Sequence, residues 1–346
     1  MGDMDSKKKI KIGGKLVGEG EPIFIIAEAG SNHNGSLELA KKLIDVAAEA
    51  GTDAVKFQAF KADKLFNKVK NKDIVDKLEK LELREEWYKE LFDYADKRGL
   101  IFLSSVFDED SADLLDSSGI AAYKIASYEL THIPLLEYIA KKNKPVILST
   151  GMANESEVKE AVECIYSAGN RQVIILHCVS QYPAEPGNVN LKSILALKRI
   201  FDCPVGFSDH TETIYAPIAA VALGAKVIEK HFTLDKSLPG PDHAYALEPE
   251  ELKQMVAAIR EVEKMLGSEK IKPAESEINE RKWRRAIYAA CDIPEGTVIN
   301  KDMLMIVRPS PEGSLAPKYF KELSGKKIKK DIKKGEFLTK EMVGLS

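Results

Sequence analysis

The sequence predicts an α/β protein: a (β/α)8 (TIM) barrel followed by a small β-rich module. Three observations lead there. Strand-like and helix-like runs alternate eight times between residues 22 and 266. That span is close to the roughly 250 residues typical of such barrels. Finally, all eight strand-like runs lead into polar or charged residues. An open doubly wound sheet, the alternative, would gather those residues near one switch point.

The strand-like runs are Ile23–Ala27, Ala54–Phe57, Leu100–Leu103, Ala121–Ile125, Pro145–Leu148, Val173–Leu176, Val205–Phe207 and Lys226–Glu229. Most are short and rich in Val and Ile, as strands covered on both faces are. Between them, Ser36–Ala50 carries Leu39, Leu43, Val46 and Ala47 at close to a helical period, and Glu155–Ala168 and Glu248–Leu266 read the same way. Ser36 is an expected N-cap. Gly51, Gly99, Gly169, Gly224 and Gly267 follow helix-like runs, as C-terminal caps should.

Residues 1–21 read as an N-terminal extension, and Met1–Lys11 has no apolar stretch of the kind a secretory signal needs. After the barrel, residues 22–266, a polar segment at 267–285 holds the basic cluster Arg281, Lys282, Arg284 and Arg285 and reads as a linker. Residues 286–346 form a turn-rich, lysine-rich module. About 60 residues is near the lower limit for an independent core, so this module is expected to lean on its own barrel or on a partner chain.

Bulk properties narrow the function classes. The 346 residues include 51 basic and 54 acidic side chains, a net charge of −3. This balance gives no global pull toward nucleic acid or an anionic membrane. No apolar run approaches the roughly 18 residues of a membrane span. The four cysteines, Cys164, Cys178, Cys203 and Cys291, are scattered without a CxxC pair, arguing against a zinc knuckle or a disulfide framework. Reduced thiols in a cytoplasmic protein are the expectation. No Gly-rich phosphate loop and no Ser-His-Asp order is present.

His210 and His231 are the most informative side chains. Each follows a short apolar strand, and the helix-like stretch Tyr215–Leu223 lies between them. Consecutive strands of a right-handed βαβ unit are neighbours, so both imidazoles are expected on one rim, close enough to share a metal ion. The plainer reading is two unrelated loop histidines. Lys56 and Lys124 end strands beside Gln58, Ser105, Ser149 and Ser208, a set suited to binding phosphate and carboxylate. Snorkelling surface lysines or a Schiff-base lysine are the alternatives. Glu28 and Glu129 could move a proton or bind a sugar hydroxyl, or simply pair with a rim lysine. His33 could contact substrate or cap a turn, and His177 could serve as a ligand or support the site from behind. His132 and His243 carry weaker signals. Asp242, on the stiff Pro239-Gly240-Pro241 loop, is an oxygen donor for metal or substrate.

Several motifs together resemble the sialic acid synthase family over essentially the whole chain. They are Ile25-Ile26-Ala27-Glu28-Ala29-Gly30-Ser31-Asn32-His33-Asn34-Gly35, Val55-Lys56-Phe57-Gln58, Tyr123-Lys124-Ile125-Ala126-Ser127-Tyr128-Glu129, Leu148-Ser149-Thr150-Gly151-Met152, Gly206-Phe207-Ser208-Asp209-His210-Thr211, Glu229-Lys230-His231-Phe232-Thr233 and Pro239-Gly240-Pro241-Asp242. Residues 286–346 resemble the family's antifreeze-like SAF domain, a β-clip module.

The resemblance implies an N-acetylneuraminate synthase, which condenses phosphoenolpyruvate with N-acetylmannosamine and releases phosphate. Legionaminic or pseudaminic acid synthases, acting on a diacetamido-trideoxyhexose, are the alternatives, although the Pro-Gly-Pro-Asp-His loop resembles pseudaminate synthases least. It further implies Mn2+ or Mg2+ on His210 and His231. Lys56, Gln58, Ser105, Lys124, Ser127, Ser149, Ser180 and Ser208 would surround phosphoenolpyruvate. Tyr182, Asp242 and Arg308 would face the sugar, with Glu28 and Glu129 catalytic and Glu129 the main proton carrier. Arg308 would be lent to the partner's site by a swapped C-terminal domain, which implies a homodimer. The chain departs from many relatives at Ala126 and Tyr128, where they carry glycine, and from some at Ser180, where they carry asparagine. Outside the family, a Schiff-base aldolase of the sialate lyase type and a sugar- or ice-binding protein are the rival readings.

Overall fold

The computed structural model describes residues 9–268 and 270–345. Residues 1–8 of the expected extension lie outside that range. The chain divides into two compact units, residues 1–267 and 268–346.

The first unit opens with an antiparallel hairpin, β1 (Ile10–Ile12) and β2 (Lys15–Val17). Eight parallel strands follow: β3 (Phe24–Gly30), β4 (Ala54–Ala59), β5 (Ile101–Val106), β6 (Tyr123–Ile125), β7 (Val146–Ser149), β8 (Val173–Cys178), β9 (Val205–Asp209) and β10 (Val227–His231). They pair in sequence order, and β10 returns to β3, closing the barrel. Helices lie between successive strands. The first, Leu37–Glu49, is capped by the Ser36 hydroxyl, which accepts from the Leu39 N–H at 3.3 Å. Among the described residues no helix is long and apolar enough to cross a membrane.

Most strands begin one or two residues later than the apolar runs, and all but β6 extend beyond their ends. The reason is that the barrel interior turns polar before the ladder stops. Gln58 still pairs with Ser105, Ser105 with Lys124, Cys178 with Ser208 and His231 with Glu28. Backbone pairing continues while the side chains change character.

Alternation along each strand separates two apolar layers. Ile25, Val55, Phe57, Phe102, Tyr123, Leu148, Ile175, Phe207 and Ile228 pack outward against the helices. Phe24, Ile26, Ala54, Leu103, Ala122, Ile147, Ile174, Leu176 and Val227 fill the interior, joined by Ile10, Ile12 and Val17 of the hairpin. The segment expected as a mere extension therefore contributes to the barrel's inner core. Asp53 ties it in: its carboxylate accepts from Lys15 Nζ at 2.5 Å, from the Ile25 N–H at 2.8 Å and from Arg260 at 2.8 Å. Gly206 faces the same interior, and a Cβ there would lie 2.4 Å from the Val227 carbonyl oxygen and 2.6 Å from Leu176 Cδ2.

The second unit begins with the short helix Glu275–Ile278 and a helical turn at Asn279–Trp283, within the segment read as a linker. Strands β11 (Ala286–Ala289) and β12 (Leu304–Val307) then pair antiparallel. The unit has an apolar core of its own, which includes Ile287, Ile293, Leu304, Leu315, Ile328 and Leu338.

Candidate active site

The same alternation that builds the inner core delivers the chemistry. Above the apolar layer, the inward positions are Glu28 on β3, Lys56 and Gln58 on β4, Ser105 on β5, Lys124 on β6, Ser149 on β7, Cys178 on β8, Ser208 on β9, and Glu229 and His231 on β10. All line one mouth, together with Ser127, Tyr182 and His210. The outward partners of these positions do not join it. His177 stacks on Phe207 outside the barrel and its Nε2–H donates to the Val189 carbonyl at 2.7 Å. His33 accepts from the Gly35 N–H at 3.2 Å and stabilises its own turn, while burial pushes its pKa down to about 4. His132 caps the helix Ile133–Lys141. His243 bonds Thr233 Oγ1 at 2.6 Å and Asn34 Nδ2 at 3.1 Å, joining the Asp242 loop to the loop after β3.

Lys56 and Lys124 are only 2% and 3% exposed, which rules out snorkelling surface lysines. Lys56 Nζ donates to Ser105 Oγ at 2.9 Å and contacts Glu28 Oε2 at 2.8 Å. Lys124 Nζ donates to Ser149 Oγ at 2.7 Å and to the Ile125 carbonyl at 3.2 Å. Gln58 Nε2 donates to Glu28 Oε1 at 3.0 Å. Ser127 Oγ accepts from the Gly151 N–H at 3.0 Å, and Ser180 Oγ is buried without a hydrogen-bond partner among the described residues.

The mouth is not simply cationic, as the lysines alone suggest. Glu229 sits between them, 3.8 Å from Lys56 Nζ and 3.6 Å from Lys124 Nζ, and Ser208 donates to its Oε1 at 2.8 Å. Burial would raise the pKa of Glu229, but Lys124 and Lys56 outweigh it and hold the carboxyl below the usual range. Glu28 goes the other way: burial, with Glu229 adding to it, outweighs Lys56 and pushes its pKa up to about 7. Sequence reasoning missed Glu229. The available signal was its position two residues before His231, which puts both on one face of β10.

Glu129 lies on the helical turn Ser127–Glu129 after β6. Burial, only partly offset by Lys124, raises its pKa to about 7. One of its oxygens, Oε2, is buried without a hydrogen-bond partner among the described residues. Its neighbour Tyr128 is exposed.

His210 and His231 stand side by side with ring centroids 5.3 Å apart, and the Tyr182 ring lies 4.1 Å from His210. The Nδ1–H of His210 donates to the Val179 carbonyl at 2.7 Å, which leaves Nε2 as the ring nitrogen outside that bond. Burial first, then neighbouring positive charge, holds His231 well below its ordinary pKa, whereas for His210 burial is outweighed by Cys178 and the Val179 carbonyl, which raise its pKa. Asp242 Oδ2 lies 4.0 Å from His231 Nδ1, and Asp242 Oδ1 accepts from Tyr245 OH at 2.9 Å. Among the described residues no group of three or more His, Cys, Asp and Glu converges as a complete metal site. The two imidazoles are the residues of the mouth that could hold a cation, and any such ion would need further donors from outside this pair. Arg308 lies directly after β12 in the second unit and is exposed.

Comparison with known proteins agrees with this architecture. Residues 43–271 match the NeuB family and residues 284–344 match the SAF domain. The chain is 46% identical over 333 residues to an uncharacterized protein of Methanocaldococcus jannaschii, covering 96% of this chain and 97% of that one. It is 43% identical to the N,N'-diacetyllegionaminic acid synthase of Legionella pneumophila, covering 98% and 99% of the two chains. The crystal structure of N-acetylneuraminic acid synthetase from Leptospira borgpetersenii, in complex with citrate, superposes with a TM-score of 0.76 at 38% identity, covering 79% of this chain and 95% of that one. With a family match over most of the barrel and such relatives along nearly its full length, the chain belongs to the NeuB family and carries a C-terminal SAF domain.

Proposed function

We propose that this protein is a nonulosonic acid synthase that condenses phosphoenolpyruvate with an N-acylated aldose of the N-acetylmannosamine type and releases phosphate. The observation that carries the reading is the mouth itself: two buried lysines, set among serine hydroxyls, beside a paired imidazole site. Lys56 and Lys124, with Ser105, Ser127, Ser149, Ser180 and Ser208, hold the phosphate and carboxylate of phosphoenolpyruvate, and Gln58 orients it. A divalent cation, Mn2+ or Mg2+, held by His210 and His231 would supply Lewis acidity toward the aldehyde oxygen. C3 of the enol forms the new bond to the aldehyde carbon. Water then adds at C2, and the C2–O bond to phosphate breaks.

Glu129 holds and moves the proton of that water addition, since a carboxyl with a pKa of about 7 can both give and take a proton near neutral pH. Glu28, also raised to about 7, is the second catalytic carboxyl, Asp242 binds sugar hydroxyls, and Tyr182 packs on the sugar. Arg308 reaches the site from a second copy, so the working form is a domain-swapped homodimer.

N-acetylmannosamine, giving N-acetylneuraminate, is the first reading of the aldose. The 43% identity to the Legionella synthase favours 2,4-diacetamido-2,4,6-trideoxymannose as the second. Phosphate release from phosphoenolpyruvate with Mn2+ is the test, run with each of these sugars, with the altrose counterpart of the second, and with no sugar. Sugar-dependent release that EDTA and His210→Ala abolish is expected. No release with any aldose refutes the reading, and a borohydride-trapped pyruvate adduct would establish the Schiff-base aldolase instead.

A further inference from the structure

We propose that Glu229 is a built-in counter-anion: its carboxylate competes with phosphoenolpyruvate, and with product phosphate, for Lys56 and Lys124, and so limits anion affinity while keeping the two ammonium groups in position. The proposal rests on the reading that this mouth binds phosphoenolpyruvate, and it adds a positioning residue to that site.

The geometry is that of a charge pair held short of contact. Glu229 is buried on the inner face of β10, in register with Ser208 on β9. Ser208 anchors Oε1 at 2.8 Å, while Oε2 has no hydrogen-bond partner. The two ammonium groups lie 3.6 and 3.8 Å away, beyond hydrogen-bond length but well within strong Coulombic range. Each ammonium has three N–H bonds. Lys124 donates two, to Ser149 and the Ile125 carbonyl, and Lys56 donates one to Ser105, with Glu28 Oε2 a further 2.8 Å ion-pair contact. At least one N–H on each lysine is therefore left, among the described residues, for an oxygen that Glu229 is too far away to supply. A phosphate or carboxylate oxygen entering the mouth fits that vacancy. It meets repulsion from Glu229 as it does so. Without that repulsion, phosphate left after the reaction would stay bound to both lysines.

The test is inorganic phosphate binding by titration calorimetry on the full chain, comparing wild type with Glu229→Gln, alongside steady-state kinetics. Removing one like charge at this range is expected to tighten phosphate binding by about tenfold or more. It should also lower KM for phosphoenolpyruvate, lower kcat, and strengthen inhibition by phosphate. A merely structural carboxylate would raise KM or leave it alone. Phosphate affinity that is unchanged or weaker in a Glu229→Gln protein with a wild-type melting curve overturns the proposal. Should Glu229→Gln not fold, Glu229→Asp withdraws the charge by one methylene and must still bind phosphate more tightly than wild type, and equal or weaker binding overturns it. No phosphate binding by any of these proteins also overturns it. Phosphate binding without turnover on any aldose would sink the proposed reaction while leaving Glu229 to be judged on affinity alone.

Discussion

Replacing Lys230 by Met should be among the most damaging single changes outside the mouth. Lys230 faces away from the barrel interior yet is 1% exposed. Its ammonium lies 2.5 Å from Asp209 Oδ2, on the adjacent strand at the paired position, and also donates to the Thr211 carbonyl. Among the described residues Asp209 otherwise accepts from Thr211: the N–H at 3.0 Å and the hydroxyl at 2.9 Å. Taking the ammonium away leaves a buried carboxylate without a counter-charge, which costs about 3–5 kcal/mol. For a unit of this size each kcal/mol corresponds to about 2–4 °C, so a fall of roughly 6 °C or more in Tm is expected. Thermal and urea melts of the single variant, and of Asp209→Asn/Lys230→Met, measure it. The double variant removes both charges and should recover at least half of the loss. Activity should fall in the single variant as well, because Asp209 immediately precedes His210. A single-variant loss below about 1 kcal/mol, or a double variant as unstable as the two singles summed, would refute the view that this pair is a desolvated, mutually dependent ion pair.

Glu129→Gln gives a pH-dependent stability change of definite sign. The folded-state pKa of about 7 lies above the ordinary 4.5, so the native state binds this proton more tightly than the unfolded chain does. The stability this gives is fully present below the unfolded value and is lost as pH rises through 7. Glutamine mimics the protonated form, so the variant should exceed wild type by about 3 kcal/mol at pH 8 and match it near pH 4, read as urea midpoints. Equal stability at both pH values would show that burial does not raise this carboxyl. Gly206→Ala should destabilise the barrel by about 1–3 kcal/mol or more in the same assay, because its methyl group would overlap the Val227 carbonyl and Leu176. An alanine variant with wild-type stability would mean that β9 can move away from β10 at no cost.

The barrel was legible because its strands are short, doubly covered and separated by amphipathic helices. Count, span and spacing of the apolar runs all agreed with a closed eight-stranded ring. What hydrophobicity could not show was where each strand ends. Pro22, Ile23 and Leu100 are apolar but precede the ladder, whereas Gln58, Ser105, Ser149 and His231 are polar yet inside it. The hairpin at Ile10–Val17 was hidden for a different reason. Four apolar residues in a lysine-rich segment carry little periodic signal, and the value of the three buried ones, Ile10, Ile12 and Val17, comes from packing into a barrel assembled from residues far along the chain.

The site was legible in its residue types and less so in its polarity. Reading polar residues at strand ends as rim residues admitted His177, which alternation turns outward, and passed over Glu229, which it turns inward. Counting by twos from a fixed inward residue would have separated them. From His231, β10 points Glu229 and Val227 inward and Lys230 outward. From Lys56, β4 points Gln58 and Ala54 inward. The same counting changes the electrostatic picture. Lys56 and Lys124 read alone imply a bare cationic pocket, and two buried ammonium groups that close together would repel each other strongly. With Glu229 between them, each lysine has a counter-charge before any substrate arrives, while burial raises Glu28 in the mouth and Glu129 on the turn after β6 to about 7. The charge pattern of the mouth is thus the one an entering anion has to rearrange.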